Sequence, residues 1–261
     1  YKKDKIAVFK YPPILALITA LFALTSERTS ATMWFIFNFV LIIVFIFYSG
    51  KLIFQNRLNY KQRNWVYFWS LFFTSRFYMH NFDEGQVNFL MMTALLLGIY
   101  AVNKRREFWA GFLVGFSILV KYITAIFIPY FLFKKRFRLI FYIIVLLIAF
   151  TFFPAIFLGW KYNLFLQKQY LPYLCKTSLD IFSLSDPDNQ SLMAFIVRYF
   201  SNHGSYGINL INVKDYHLIF LTGTLYVLFF LLCFYPMKNK NSELFKMGDS
   251  FSTIDLGLLF I

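Results

Sequence analysis

The chain has 261 residues, of which 59% are apolar, 23% are aromatic and only 15% are charged. A soluble globular domain has about half of its residues apolar and about a quarter charged, so this composition excludes an ordinary water-soluble fold. The net charge is +14, but the basic residues form short blocks between apolar runs, which is typical of cytoplasmic loops in membrane proteins and argues against a nucleic-acid partner.

Seven apolar runs follow one another along the chain. They lie at about 11–24, 33–50, 65–79, 87–102, 108–133, 139–158 and 218–235. Crossing the hydrocarbon takes about 17–25 residues, and spanning backbone must satisfy its own hydrogen bonds. The pattern therefore predicts an all-α, polytopic transmembrane bundle. The second, sixth and seventh runs reach spanning length, the third and fourth are marginal, and the first predicts a short outer-side helix that does not span.

Basic blocks predict the orientation of this bundle. Four of them are cytoplasmic by the positive-inside rule: 51–63, 104–106, 134–138 and 238–246. Three loops then face outward: 25–32, 80–86 and 159–217. The last is the only long one, and its mixture of polar residues and apolar patches predicts short interfacial helices.

The bundle is interpreted as a single transmembrane domain over residues 1–261. Because the chain starts at Tyr1 and stops at Ile261 inside an apolar stretch, we expect it to be truncated at both ends. Phe-, Lys- and Asn-rich usage is typical of an AT-rich genome. Together these features predict a multi-pass protein in the lipid bilayer of a bacterial plasma membrane.

The short outer loop after the third run contains a polar cluster. Asp83 and Glu84 are candidate general bases or ligands for sugar hydroxyls. Gln86 and Asn88 continue this polar pattern into the following helix, where polar groups often mark a binding site. The alternative interpretation is a polar turn between two spans, with the bend at Gly85.

Run 108–133 begins and ends beside cytoplasmic blocks, so it cannot cross the membrane once. It predicts two short helices that turn near Lys121, the only charge in the run. A lysine among apolar residues is costly in a membrane and is commonly kept for a partner, and phosphate suits an ammonium group. Two half-helices that meet at a charge can form a membrane binding site. The alternative is a lysine that snorkels to the interface.

A second polar cluster lies in the long outer region. Asn189, Gln190 and Arg198 are candidates for binding a sugar or a phosphate. The alternative is that the segment 189–191 caps the helix that follows. No residues show metal-ligand spacing, so neither a metal nor a cofactor is predicted.

Five short motifs, each weak alone, occur in a fixed order. They are Tyr11-Pro12-Pro13, Gly85-Gln86-Val87-Asn88, Ala110-Gly111 through Lys121, Pro129-Tyr130 with a basic block, and Asn189-Gln190-Ser191-Leu192 with Arg198. The ordered set resembles glycosyltransferase family 87 over residues 9 to 200. That family is similar to the polyprenyl-phosphate-mannose-dependent α-mannosyltransferases of the C-type membrane superfamily.

The resemblance implies a multi-helix enzyme with its active site at the outer face. Such enzymes pass a sugar from a polyprenyl-phosphate donor to a hydroxyl of a glycan or glycolipid acceptor, with inversion and without a nucleotide sugar. The family's catalytic base is an aspartate upstream of the Tyr-Pro-Pro motif, which we expect before Tyr1. Either the base lies there, or Asp83 or Glu84 takes its place.

The favoured hypothesis is therefore a membrane hexosyltransferase that transfers mannose. Lys121, with Arg198, would stabilise the phosphate leaving group. The amides would hold sugar hydroxyls: Gln86, Asn88, Asn189 and Gln190.

Two other functions remain open from the residues alone. A polyprenyl-linked glycan transporter or flippase would also use broken helices and a membrane lysine, although related halves are expected in a transporter. A membrane acyltransferase would need a catalytic histidine, for which His80 is the only candidate.

Overall fold

The computed structural model describes residues 11–54, 58–178, 191–202 and 209–238. Every regular element in these ranges is helical. The α-helices are α1 (Pro13–Ala20), α2 (Glu27–Ile53), α3 (Tyr60–Asp83), α4 (Asn88–Asn103), α5 (Glu107–Val120), α6 (Phe127–Phe133), α7 (Phe137–Phe152), α8 (Ala155–Leu158), α9 (Trp160–Ser178), α10 (Leu192–Phe200) and α11 (Asp215–Lys238). Two 3-10 helices accompany them, at Phe22–Leu24 and Tyr122–Ile126. The all-α prediction is thus confirmed for the described part of the chain.

Two described stretches are long and apolar enough to cross a membrane. Helix α2 has 27 residues with a mean hydropathy of 2.3, and Phe137–Leu158, which combines α7 and α8, has 22 residues with a mean hydropathy of 2.7. Only 6% and 22% of their most apolar windows are buried inside the protein. The core helix of a soluble protein would be mostly buried, so this exposure indicates membrane association.

The other expected spans are shorter or more polar than the sequence pattern predicts. Helix α3 has 24 residues, but Arg76, His80 and several Trp and Tyr residues make it too polar to qualify among the described helices. The remaining apolar stretches have fewer than 18 residues. They are Pro13–Leu24, Asn88–Asn103, Glu107–Val120, Tyr122–Phe133 and Asp215–Phe229. The first run is therefore too short to span, as predicted. The run at 218–235 lies in α11, a helix of 24 residues, of which the stretch Asp215–Phe229 is counted among these shorter apolar helices.

The described residues up to Leu166 form one compact unit, in which α4 and α5 pack together while α2 covers α4 and α7 covers α5. Helix α4 is the most buried element, with Leu95, Leu96 and Ile99 almost fully enclosed. At Gly111 of α5, an added Cβ would lie 2.5 Å from Tyr142 Cβ. The helices therefore approach closely through this glycine, as small residues allow.

The described residues from Gln167 onward form a second compact unit, in which α10 packs on α11. Ser191 is the N-cap of α10, and its hydroxyl accepts a 3.1 Å hydrogen bond from the Ala194 amide. The capping interpretation is thus confirmed for this serine. The region 159–217 contains a short helix, as predicted, in α10, but it also contains α9, a continuous helix of 19 residues that accommodates Pro172.

Candidate functional site

The turn between α3 and α4 is held by backbone and side-chain hydrogen bonds. Gly85 has a φ of +57°, a conformation that glycine adopts without steric cost. The Gln86 amide donates to the Asn81 carbonyl at 3.0 Å, and the Trp34 indole N–H donates to the Gly85 carbonyl at 3.0 Å. The predicted bend at Gly85 is confirmed, and this bend brings the chain back so that α4 begins at Asn88.

The apolar run at 108–133 is broken at Lys121. Helix α5 ends at Val120, and Lys121 has an extended backbone with φ −146° and ψ 120°. The chain then continues as the 3-10 helix Tyr122–Ile126 and as α6. The prediction of two short helices that meet near this lysine is confirmed.

A chain of polar side chains joins the break to the turn. The Lys121 ammonium donates a 2.6 Å hydrogen bond to Asn88 Oδ1, and Asn88 Nδ2 donates a 2.5 Å hydrogen bond to Gln86 Oε1. All three side chains are half-buried. The structure therefore brings together three of the predicted site residues, which come from two sequence segments.

The Lys121 ammonium is not neutralised by a carboxylate in the described part of the chain. Its hydrogen bond to Asn88 is the only polar contact that it makes with these residues. An ammonium group has three N–H donors, and the described residues take one of them. A half-buried cation beside neutral amides is suited to bind an anion such as phosphate.

The two candidate catalytic carboxylates lie at the end of α3. Asp83 is the last residue of this helix and Glu84 is its C-cap, and both side chains are exposed. They precede Gly85 directly, but neither forms an ion pair with Lys121. The structure thus places them on the same turn as Gln86, without direct contact to the ammonium.

The remaining predicted site residues belong to the second half of the chain. Asn189 and Gln190 lie outside the described residues. Arg198 is half-buried in the last turn of α10.

Sequence reasoning missed a cleft beside the polar chain. Its volume is about 320 Å³, and its walls are mostly apolar and aromatic. The lining residues are Tyr11, Leu15, Thr19, Phe22, Ser30, Ala31, Trp34, Gly85 and Val87. Of these, Leu15 and Val87 also pack with Val120, the residue before Lys121. The cleft therefore shares part of its wall with the apolar cluster at the helix break.

Two aromatic residues of the cleft have defined environments. Burial raises the pKa of the Tyr11 hydroxyl above its ordinary value, because it disfavours the charged phenolate. The Trp34 ring packs edge-on against Phe22, with ring centroids 5.5 Å apart. Tyr11 belongs to a motif that the sequence indicated, whereas Trp34, the only tryptophan of α2, belongs to none of these motifs.

The fold and the site define a membrane-associated, all-helical class of protein, with a lysine–amide chain held at a helix break. The chain belongs to glycosyltransferase family 87, whose family model matches residues 9–259. This match confirms the resemblance carried by the motifs and identifies the class of enzyme as a glycosyltransferase. Neither curated proteins nor solved structures gave a significant match to the chain.

Proposed function

We propose that the chain transfers a hexose, in particular mannose, from a polyprenyl-phosphate donor to a hydroxyl of a glycan or glycolipid. The transfer takes place at the outer face of a bacterial plasma membrane, in which the protein is multi-pass. The observation that carries this proposal is the half-buried Lys121 ammonium, which is held by a neutral amide and makes no other polar contact with the described residues.

The proposed reaction is a single displacement at the anomeric carbon. The acceptor oxygen forms a new bond to this carbon while the bond from the carbon to the phosphate oxygen breaks. The leaving phosphate takes the electron pair, and the hydroxyl proton passes to a carboxylate. Because the acceptor attacks opposite the phosphate, the configuration inverts. Lys121 stabilises the negative charge that grows on the phosphate in the transition state.

The amides beside Lys121 are assigned to the sugar. Asn88 holds the ammonium in place through Oδ1 and orients Gln86 through Nδ2, so the Gln86 amide nitrogen is directed by a fixed neighbour. An amide nitrogen is a suitable donor to a sugar hydroxyl. Asn189, Gln190 and Arg198 are proposed to complete the sugar and phosphate contacts, while Asp83 and Glu84 assist at the turn.

The cleft supports a lipid-linked donor. An apolar and aromatic wall adjoins the cluster that contains Val120, and the ammonium of Lys121 follows directly in the chain. A ligand with a charged phosphate and an apolar tail matches this combination, because burial of the tail gains roughly 25 cal/mol for each Å² removed from water. A soluble nucleotide sugar has no such tail.

Transfer can be measured in membranes that contain the full chain, supplied with labelled polyprenyl-phosphate mannose and a glycolipid acceptor. We expect Lys121→Ala to abolish transfer and Gln86→Ala to lower it by at least about 10-fold, which corresponds to about 1.4 kcal/mol of transition-state stabilisation. Lys135→Ala, which removes an exposed lysine from the turn before α7, is the matched control and should transfer at the wild-type rate.

The same assay distinguishes a glycosyltransferase from the alternative function, a transporter or flippase. Transfer at the wild-type rate by both Lys121→Ala and Gln86→Ala would refute the proposed site. Movement of intact labelled donor across the membrane, without a new glycan product, would instead support a polyprenyl-linked glycan transporter.

A further inference from the structure

Two buried hydroxyl groups tie the helix break to α4. Ser117 Oγ donates to the Met91 carbonyl at 3.0 Å and lies 3.2 Å from Thr124 Oγ1. Thr124 Oγ1 in turn donates to the Lys121 carbonyl at 3.1 Å. Ser117 is fully buried and Thr124 is 4% exposed. Contacts between polar atoms therefore link α4 through the two hydroxyls to the Lys121 carbonyl, and we call this link the polar bridge. Each hydroxyl has one proton, so while both donate to carbonyls the Ser117–Thr124 contact is not itself a hydrogen bond.

The local sequence does not by itself require a break at this point. Residues 118–126 contain neither proline nor glycine, which are common causes of a sharp helix kink. The apolar residues on both sides of Lys121 would be compatible with a continuous helix. A side-chain hydroxyl that bonds to a nearby backbone carbonyl is an established competitor of regular helix geometry. Thr124 occupies that position here, since its hydroxyl bonds to the carbonyl at the break.

The Ser117–Met91 contact and the Lys121–Asn88 contact join the same face of α4 to the same face of α5. Ser117 and Lys121 are four residues apart, and Met91 and Asn88 are three residues apart, so each pair lies on one helix face. Ser117 contacts Met91, whereas Lys121 contacts Asn88. Two ties thus join α4 to the end of α5, one helical turn apart. The buried Ser117–Met91 hydrogen bond fixes the position along α4 at which the lysine side chain projects from the break.

We propose that Ser117 and Thr124 are positioning residues, whose hydroxyls hold the break in the orientation that brings the Lys121 ammonium to Asn88. Neither hydroxyl contacts the substrate, because both are enclosed in the helix packing. The inference rests on the proposed role of Lys121 in binding the donor phosphate. It adds that this role depends on a polar bridge within the α4–α5 pair.

The test compares variants that keep or remove one hydroxyl at nearly constant shape. Thr124→Val removes the hydroxyl, while Thr124→Ser keeps it. Affinity for polyprenyl phosphate, measured on the full chain in lipid nanodiscs, should fall about 10-fold in Thr124→Val and in Ser117→Ala. It should stay within about 2-fold of wild type in Thr124→Ser. Each variant's helicity and thermal midpoint are measured in parallel, so that loss of folding is recognised.

A double-mutant cycle separates positioning from a general structural effect. If Thr124 acts through the lysine, Thr124→Val should weaken polyprenyl-phosphate binding no further in a Lys121→Ala background. A Thr124→Val effect of equal size in both backgrounds would overturn the inference.

The two proposals fail in different ways. Weak binding by Lys121→Ala together with wild-type binding by Thr124→Val would overturn the positioning role alone. Wild-type binding by Lys121→Ala would overturn the phosphate site itself, and with it this inference.

Discussion

The Lys121 ammonium and the Asn88 side-chain carbonyl, 33 residues apart in the sequence, form a 2.6 Å hydrogen bond between the end of α5 and the first turn of α4. The partner is a neutral amide, so among the described residues the positive charge is held in place without a carboxylate to cancel it. This arrangement differs from a structural ion pair, in which a carboxylate would neutralise the ammonium. It keeps the cation available to an anionic ligand.

Replacing the amide with a carboxylate should therefore inhibit the enzyme. In Asn88→Asp the new carboxylate pairs with Lys121 and competes with the donor phosphate, so we expect the rate of sugar transfer to fall by at least about 10-fold, or about 1.4 kcal/mol. The thermal midpoint should change little, since the new ion pair is offset by loss of the hydrogen bond from Asn88 Nδ2 to Gln86 Oε1. Initial transfer rates and unfolding of the full chain measure the two effects.

The control for this prediction is Asn64→Asp, which makes the same chemical change at an exposed position of α3. It should leave the transfer rate unchanged. A transfer rate in Asn88→Asp equal to that of wild type would contradict the idea that the ammonium must remain uncompensated.

At Gly85, the effect of a substitution on stability should depend on the backbone conformation and not on the volume of the new side chain. The nearest atom to an added Cβ is Trp34 Nε1 at 3.8 Å, so there is space, but the φ of +57° is unfavourable for residues with a Cβ. We expect Gly85→Ala to lower the free energy of unfolding by about 1–2 kcal/mol. Gly85→Asn should cost less, because asparagine tolerates this conformation better than alanine. Chemical denaturation of both variants checks the order, and equal losses would show that space, not φ, limits this position.

The sequence predicts the helix break at Lys121 because charge parity forbids a single crossing there, and it places Gln86 and Asn88 at the same membrane face. The sequence does not predict the hydrogen bond between Lys121 and Asn88, since hydrophobic periodicity does not show which residues of α4 and α5 lie side by side. The contact of Trp34 with Gly85 is similarly hidden, because the two residues are 51 positions apart. Helix α9 was missed since its polar residues conceal the helical pattern.

The carboxylates of the α3–α4 turn are predicted to assist transfer without acting as the main base. Asp83 and Glu84 are exposed, and neither forms an ion pair with Lys121. Asp83→Asn and Glu84→Gln should each lower the transfer rate by less than about 10-fold, whereas loss of a general base typically costs about 10²–10⁴-fold. Steady-state rates with saturating donor and acceptor measure this difference. A loss of about 100-fold or more in either variant would identify that residue as the base.

Close packing of α5 on α7 also holds the helix that ends at the break. In Gly111→Ala the added Cβ would meet Tyr142 Cβ at 2.5 Å and the Tyr142 and Ile143 backbone at 3.2–3.3 Å. Backbone cannot move aside as a flexible side chain can, so the helices must separate. We expect a loss of about 1–3 kcal/mol in the free energy of unfolding, the usual cost of overpacking.

The matched control for Gly111→Ala is Gly223→Ala in α11, where an added Cβ meets no atom of the described residues within 4 Å. Since alanine is favoured over glycine inside a helix by about 0.5–1 kcal/mol, this variant should be as stable as wild type or more stable. Thermal unfolding of both variants in the same detergent gives the comparison. If Gly111→Ala also stabilised the protein, α5 and α7 would have to lie farther apart than the 2.5 Å distance to Tyr142 Cβ indicates. Only the contacts with α4 would then support the break.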